Sequence, residues 1–223
     1  LLRDDDVAHA PYVAALVSPF RSGVALWRSP GETGFQLDRV VSVPGALGRT
    51  TGDFYGGPVW RWDRVNALHV RLKRGNLASA TELAVLNGAN ALAIENADGE
   101  WEIVQFAAAT PDGIRSFVLT GLLRGQKGTE HAMRAPVAAG ARVVVLDPVS
   151  VGQLTLPASF VGLPLNWRVG AADRGVSDPA VVQSTMTAPG RGRRPLSPVQ
   201  LAARWEEAGD IHLSWIRRPR LGA

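Results

Sequence analysis

The acids and imidazoles are the residues that most invite a chemical reading, and they do not converge along the chain. The four histidines, His9, His69, His131 and His212, lie far apart, with no His-Glu-x-x-His or His-x-His spacing to gather zinc ligands on one helix face or strand. His69 falls on the polar side of an alternating stretch beside Arg71 and Lys73, which predicts exposure. His131 follows Glu130 after a glycine-rich turn, a pair too isolated to define a ligand set. Glu100 and Glu102 share one face of a predicted strand, as the paired carboxylates of glycosidases do. Both sit next to a turn, where charged side chains are normally solvated, and that is the reading taken. Asp4-Asp5-Asp6 reads as a frayed terminus.

Gly121-Leu122-Leu123-Arg124-Gly125-Gln126-Lys127-Gly128-Thr129 has the look of a phosphate loop. Gly128 separates Lys127 from Thr129, however, so the Gly-Lys-Ser/Thr ending is missing and a structured turn after a strand is predicted. There is no Gly-x-Ser-x-Gly elbow and no cysteine nucleophile. No catalytic, cofactor-binding or metal-binding residue is therefore assigned. Contact residues are easier to nominate. Trp60-Arg61-Trp62-Asp63-Arg64 follows Gly56-Gly57-Pro58 in a predicted loop, and Trp and Arg concentrate binding energy at interfaces. Trp60, Arg61, Trp62 and Arg64 are the candidate interface or glycan contacts, with burial of the tryptophans in a core as the competing reading. Gly190-Arg191-Gly192-Arg193-Arg194 has an Arg-Gly composition suited to phosphates. Three arginines give only weak, salt-sensitive attraction, and a solvated connector is the reading preferred.

Strands must position most of these residues. Leu68, Val70 and Leu72 alternate with His69, Arg71 and Lys73, the period-2 pattern of a half-buried strand. Phe35, Leu37, Val41 and Val43 repeat it with a break at Arg39, and the turn from Ser29 to Gly34 joins that strand to Val24–Arg28 as a hairpin. Asn96-Ala97-Asp98-Gly99 and Thr110-Pro111-Asp112-Gly113 supply the tight reversals that join 91–95, 100–107 and 114–123 into a meander, and 141–147 is a further apolar run. One helix is predicted over Ala80 to Asn87, with Ser79 and Glu82 as a capping box and Gly88 as its left-handed stop. Short strands follow at 165–170 and 181–187. A final hairpin alternates Val199, Leu201, Ala203 and Trp205 with Ile211, Leu213 and Trp215 around Ala208-Gly209-Asp210.

Composition bounds the rest. The chain has 223 residues, 46% of them hydrophobic, with seven tryptophans, enough to bury a core and too apolar for a disordered chain. Without cysteine there is neither a disulfide framework nor a thiolate metal site. The net charge is only +4, and the basic residues are spread among twenty acids instead of gathered into the stripe of a nucleic-acid binder. Arg outnumbers Lys heavily, which suits forked contacts to carboxylates. The N-terminal residues lack the pattern of a signal peptide, no apolar run reaches the length of a membrane span, and the start without Met reads as a piece of a longer polypeptide.

Leu68-His69-Val70-Arg71-Leu72, then Gly75-Asn76-Leu77-Ala78-Ser79 and Leu86-Asn87-Gly88-Ala89-Asn90, resemble the phage tail protein family of gene transfer agents and related siphophages. Gln105-Phe106, the stretch from Leu119 to Glu130 with its Leu-Leu-Arg-Gly-x-x-Gly-Thr-Glu core, Pro195-Leu196-Ser197-Pro198 and the run from Ile211 to Arg218 extend the resemblance over most of the chain from about Ala67 onward. It implies the C-terminal part of a large tail-tip or baseplate protein with an upstream domain like a glycoside hydrolase barrel, none of whose hydrolase residues map here. It also implies a homotrimer, and it makes the hairpin ending at Trp215 the opening of a fibronectin III-like module, incomplete in this chain, in which such a Trp packs in the core.

The expectation is thus a mainly β chain: a hub-like barrel or sandwich with one short helix over 1–147, a small irregular β region and linker over 148–194, and the fibronectin III-like hairpin over 195–223. Its expected role is that of a virion structural protein in the tail tip or baseplate of a phage or gene transfer agent particle. It would contact other tail proteins and copies of itself for assembly, host attachment and DNA delivery, with no catalysis, no cofactor and no direct nucleic-acid recognition. A carbohydrate-binding module for host surface glycan, stacking on Trp60 and Trp62, and an accessory domain of a glycoside hydrolase are the alternatives.

Overall fold

A computed structural model describes residues 2–3, 5–207 and 209–218; Asp4 and Ala208 lie outside the described residues. The chain is mainly β, as its alternation predicts, and its centre is a closed barrel. Six strands form the wall: β4 (Leu47–Thr50), β6 (Leu68–Leu72), β7 (Ala91–Glu95), β8 (Trp101–Pro111), β9 (Ser116–Leu123) and β10 (Arg142–Val145). They pair antiparallel in the order β9-β6-β4-β10-β7-β8, and β8 returns to β9 to close the ring. Closure depends on the length of β8. Its first half pairs with β7, from Glu95↔Trp101 to Ala91↔Gln105, and its second half pairs with β9, from Gln105↔Leu123 to Pro111↔Phe117. The short β5 (Trp62–Asp63) adds to the far end of β9.

Inside the ring Leu68, Val70, Leu92, Ile94, Val104, Phe106, Leu119 and Leu122 are all but fully buried. At about 25 cal/mol per Å², burial of such side chains is the main stabilising term of the barrel. Closure brings backbones close. A Cβ on Gly48 would collide with the carbonyl of Arg71 on the neighbouring strand, so β4 and β6 can meet only at a glycine. Both predicted reversals occur, with Gly99 and Gly113 at φ of 77° and 110°. The strand predicted from Ile114 starts instead at Ser116, and Ile114 is exposed in the turn.

The helix α1 (Glu82–Leu86) is capped differently from expectation. Thr81 is the N-cap, its hydroxyl accepting from Ala84 N at 3.2 Å, while Ser79 Oγ accepts from Ala109 N at 3.0 Å and ties the incoming chain to β8. Val85 is fully buried, and Gly88 makes the left-handed stop at φ 99°.

A second layer lies outside the barrel. The hairpin of β2 (Val24–Ser29) and β3 (Gln36–Val41) joins β12 (Pro164–Ala171) and β13 (Val182–Thr187) in one antiparallel sheet of order β13-β12-β2-β3. The break at Arg39 is a bulge, which turns Asp38 inward against Arg28. This sheet crosses the boundary at 147 expected from the sequence: strands within 24–41 share it with strands within 164–187, around a core that includes Val24, Leu26, Leu165 and Trp167. A bridge of β1 (Tyr12–Val13) with β11 (Gly152–Gln153) also spans that boundary. The terminus is not frayed at Asp6, whose carboxylate accepts from the amides of Leu2 and Arg3 and from the Tyr12 hydroxyl. The last hairpin, β14 (Val199–Trp205) and β15 (Ile211–Ile216), stands apart as a two-stranded ribbon. Among the described residues nothing covers its apolar side chains, and Trp215, a core residue by the family resemblance, is 58% exposed.

Candidate functional site

The charged residues of the barrel gather where β8 begins and β9 ends. Arg124, the residue after β9, is fully buried. Its Nε and Nη2 donate to the two oxygens of Glu102 at 2.6 and 2.9 Å, and its Nη1 donates to Tyr55 O at 2.9 Å and lies 3.9 Å from Asp63 Oδ2. Below it, the Phe54 ring centroid lies 3.8 Å from the guanidinium carbon, within cation–π range. Gly125 N donates to Glu102 Oε1 at 3.1 Å. Asp63 is satisfied separately, accepting from Val65 N, Asn66 N and the Asn66 amide at 3.1, 3.0 and 2.8 Å. Burial pushes the Asp63 carboxyl up, but the bonds from Asn66 and Val65 and the charge of Arg124 outweigh it and hold it below the usual carboxylate range. Gly57 completes the packing, since a Cβ there would strike Asp63 Oδ2 and come within 3.0 Å of Arg124 Nη1.

Two acids and one arginine are thus brought together at one end of the barrel. Every oxygen of Glu102 and Asp63 accepts from a donor within the protein. The reading of Glu102 as solvated is therefore corrected. It lies in phase with Val104 and Phe106 on the buried face of β8, and that phase was the available signal. Glu100 lies outside the strand, does not pair with Glu102, and forms an ion pair with Arg191. His131 Nε2 is 3.0 Å from Arg191 Nη1 and 3.6 Å from Glu100. The segment 190–194 is thus not a solvated connector: a short turn over Arg191–Arg193 packs on the N-terminal segment at Ala8 and Arg191 reaches the barrel.

The nominated contact residues stand at the rim of this cluster. Trp60 is 55% exposed, with φ of 62°, an unusual backbone state for a bulky residue. Its Nε1 donates to Glu130 Oε1 at 3.2 Å, Arg218 Nη2 donates to the same oxygen at 2.6 Å, and the Arg218 guanidinium lies 5.5 Å from the Trp60 ring. Burial raises the Glu130 carboxyl, yet Arg218 and Trp60 bring it below its ordinary range. Trp62 is half-buried on β5, with Arg64 lying 5.7 Å from its ring and reaching Glu82 on α1 at 2.8 Å. Arg61 is exposed. Neither ring is a core residue, and each has a guanidinium beside it. Among the described residues no cluster of three acids or histidines has the geometry to hold a metal ion. An open cleft of about 360 Å³ between Arg168 and Asp178 lies on the outer sheet and shares no residue with this rim.

Gly121–Thr129 is the end of β9 followed by a structured turn, as its spacing predicts. Gly125, Lys127 and Gly128 take left-handed backbone, and Thr129 Oγ1 accepts from Ile103 N at 2.9 Å. With this turn the barrel rim is complete, and the rim lies inside the stretch that carries a family likeness.

Residues 45–144 match the model of the Rcc01698-like, C-terminal family. The Rcc01698-like stretch begins just before β4 and ends within β10, so it coincides with the closed barrel and includes Asp63, Glu102 and Arg124. The outer sheet and the last hairpin lie largely beyond it. No curated protein matches the chain.

Proposed function

We infer that this chain is a structural module of a phage-like tail tip or baseplate, in a gene transfer agent or siphophage particle, serving tail assembly and host attachment or DNA delivery. The observation that carries this reading is the coincidence of the Rcc01698-like stretch with the barrel. It is supported by the use of the barrel's buried charges: Arg124 is bonded to Glu102 and to the backbone of the loop at Tyr55, which fixes one end of the barrel as a rigid part. The exposed Trp60, Arg61 and Arg64, with the half-buried Trp62, form the rim from which the barrel would meet neighbouring tail proteins or copies of itself.

Co-expression of the tagged chain with the tail proteins encoded beside its gene tests this directly. Co-purification of at least one of them is expected, weakened by Trp60→Ala with Arg61→Ala. Recovery of the chain alone, or with metabolic enzymes, would count against assembly. A glycan array reads the alternative of host-glycan stacking on Trp60 and Trp62, and sugar-specific binding lost with those substitutions would favour it.

A further inference from the structure

The two edges of the outer sheet are built in opposite ways. At β3 the strand is bulged, Asp38 is turned inward to Arg28 at 2.7 Å, and residues 153–155 fasten over it. Arg39 Nη1 donates to Gln153 O at 2.6 Å, and Thr155 N donates to Asp38 Oδ2 at 2.9 Å. Bulges and inward charges are the devices that keep an edge from pairing further. The closed barrel leaves only the two-residue β5 as an edge, and the last hairpin carries a bulge, with Gln200 at φ 53°, together with Arg204 and His212. At β13 no such device is present. Val182–Thr187 contains no charge and no proline, keeps an unbroken register with β12 and is exposed at all six residues. Among the described residues β12 is its only strand neighbour.

We propose that β13 is an assembly edge that pairs antiparallel with β13 of a second copy of this chain, about a twofold axis at Ser184. Leu165 and Trp167, both buried, stand opposite Met186 and Ser184, so Val182, Ser184 and Met186 share the core-facing side of the sheet. Centred on Ser184, the pairing sets Val182, 67% exposed, against the partner's Met186, and joins two four-stranded sheets into one of eight. A strand without charge meets its own copy with no like charges apposed; β3, with Asp38 and Arg39, would not. A six-residue seam is at the small end of specific interfaces, so association should depend on concentration. This twofold contact is distinct from the threefold arrangement that the family resemblance implies, and it does not depend on the tail-tip reading.

Sedimentation velocity over a concentration series tests it, using the wild type, Ser184→Lys and Ser184→Cys. The chain has no cysteine, so Ser184→Cys supplies its one thiol. Directly opposed Cβ atoms in an antiparallel pair lie about 4.5–5.5 Å apart, within reach of a disulfide after small adjustment. The wild type should pass from monomer to dimer, and Ser184→Lys should stay monomeric with an unchanged melting temperature. Ser184→Cys should form a covalent dimer on mild oxidation, whereas Thr51→Cys on the barrel should not. A wild type that remains monomeric overturns the proposal. So does a dimer or trimer indifferent to Ser184→Lys, or a Ser184→Cys chain that cross-links no faster than Thr51→Cys. If Ser184→Lys fails to fold, the cysteine pair decides.

Discussion

At the scale of single residues, Arg124 decides how the barrel rim is held. Its forked side chain matches the two oxygens of Glu102 and spans from β8 to the loop at Tyr55, a geometry that lysine cannot reproduce. Removing one partner of a buried pair strands the other charge, at a cost of about 3–5 kcal/mol. Glu102→Gln and Arg124→Met should each lower unfolding free energy by about that amount in urea titrations, and a loss below 1 kcal/mol would mean that water reaches the pair. Acid should act through Asp63. Its carboxyl is held below the ordinary value of about 3.9. The stabilisation it contributes is therefore complete above that pH and is lost as pH falls through the depressed folded value. Urea midpoints of the wild type should drop as pH falls below about 4, and Asp63→Asn should flatten that part of the curve.

At the scale of elements, Gln105 marks where β8 passes from β7 to β9. Its buried amide donates to Val85 O and Ala89 O at 2.6 and 2.8 Å, so the end of α1 is fastened to the strand that closes the barrel. Gln105→Leu leaves two carbonyls without this donor and should cost about 1–3 kcal/mol, with faster amide exchange over 83–90 as its local signature. Most strands were legible because alternation and Asp-Gly turns are local. The meander from Ala91 to Leu123 and the hairpin from Val24 to Val41 follow from them. Capping was misread because Ser79, which also fits a cap, is taken by Ala109 on a distant strand. Glu102 was misread because its neighbouring turn suggested solvent while its phase with Val104 pointed inward. Arg124, the centre of the site, was legible only as a letter in a motif. Its partners at 54, 63 and 102 are brought to it by barrel closure, which no local pattern encodes.

At the scale of the whole molecule, the chain is a closed barrel with an outer sheet that gathers strands from both ends of the sequence. Pairing of β2 with β12, more than 130 residues apart, is the feature that periodicity does not reveal. Periodicity predicts that a stretch is a strand, not which strand it meets. The basic segment at 190–194 likewise reads as solvated because the acid that binds it, Glu100, lies in the turn before β8, 91 residues away from Arg191 in sequence. A barrel closed by pairing of β8 with β9, a rim of Trp and Arg, and an unguarded sheet edge suit a part that is fitted among others. Immunogold labelling of purified particles from the parent organism, with antibody raised against this chain, tests that role most directly. Gold at the distal tip of the tail is the predicted result. Unlabelled particles, with the antigen confined to the particle-free lysate, would contradict it.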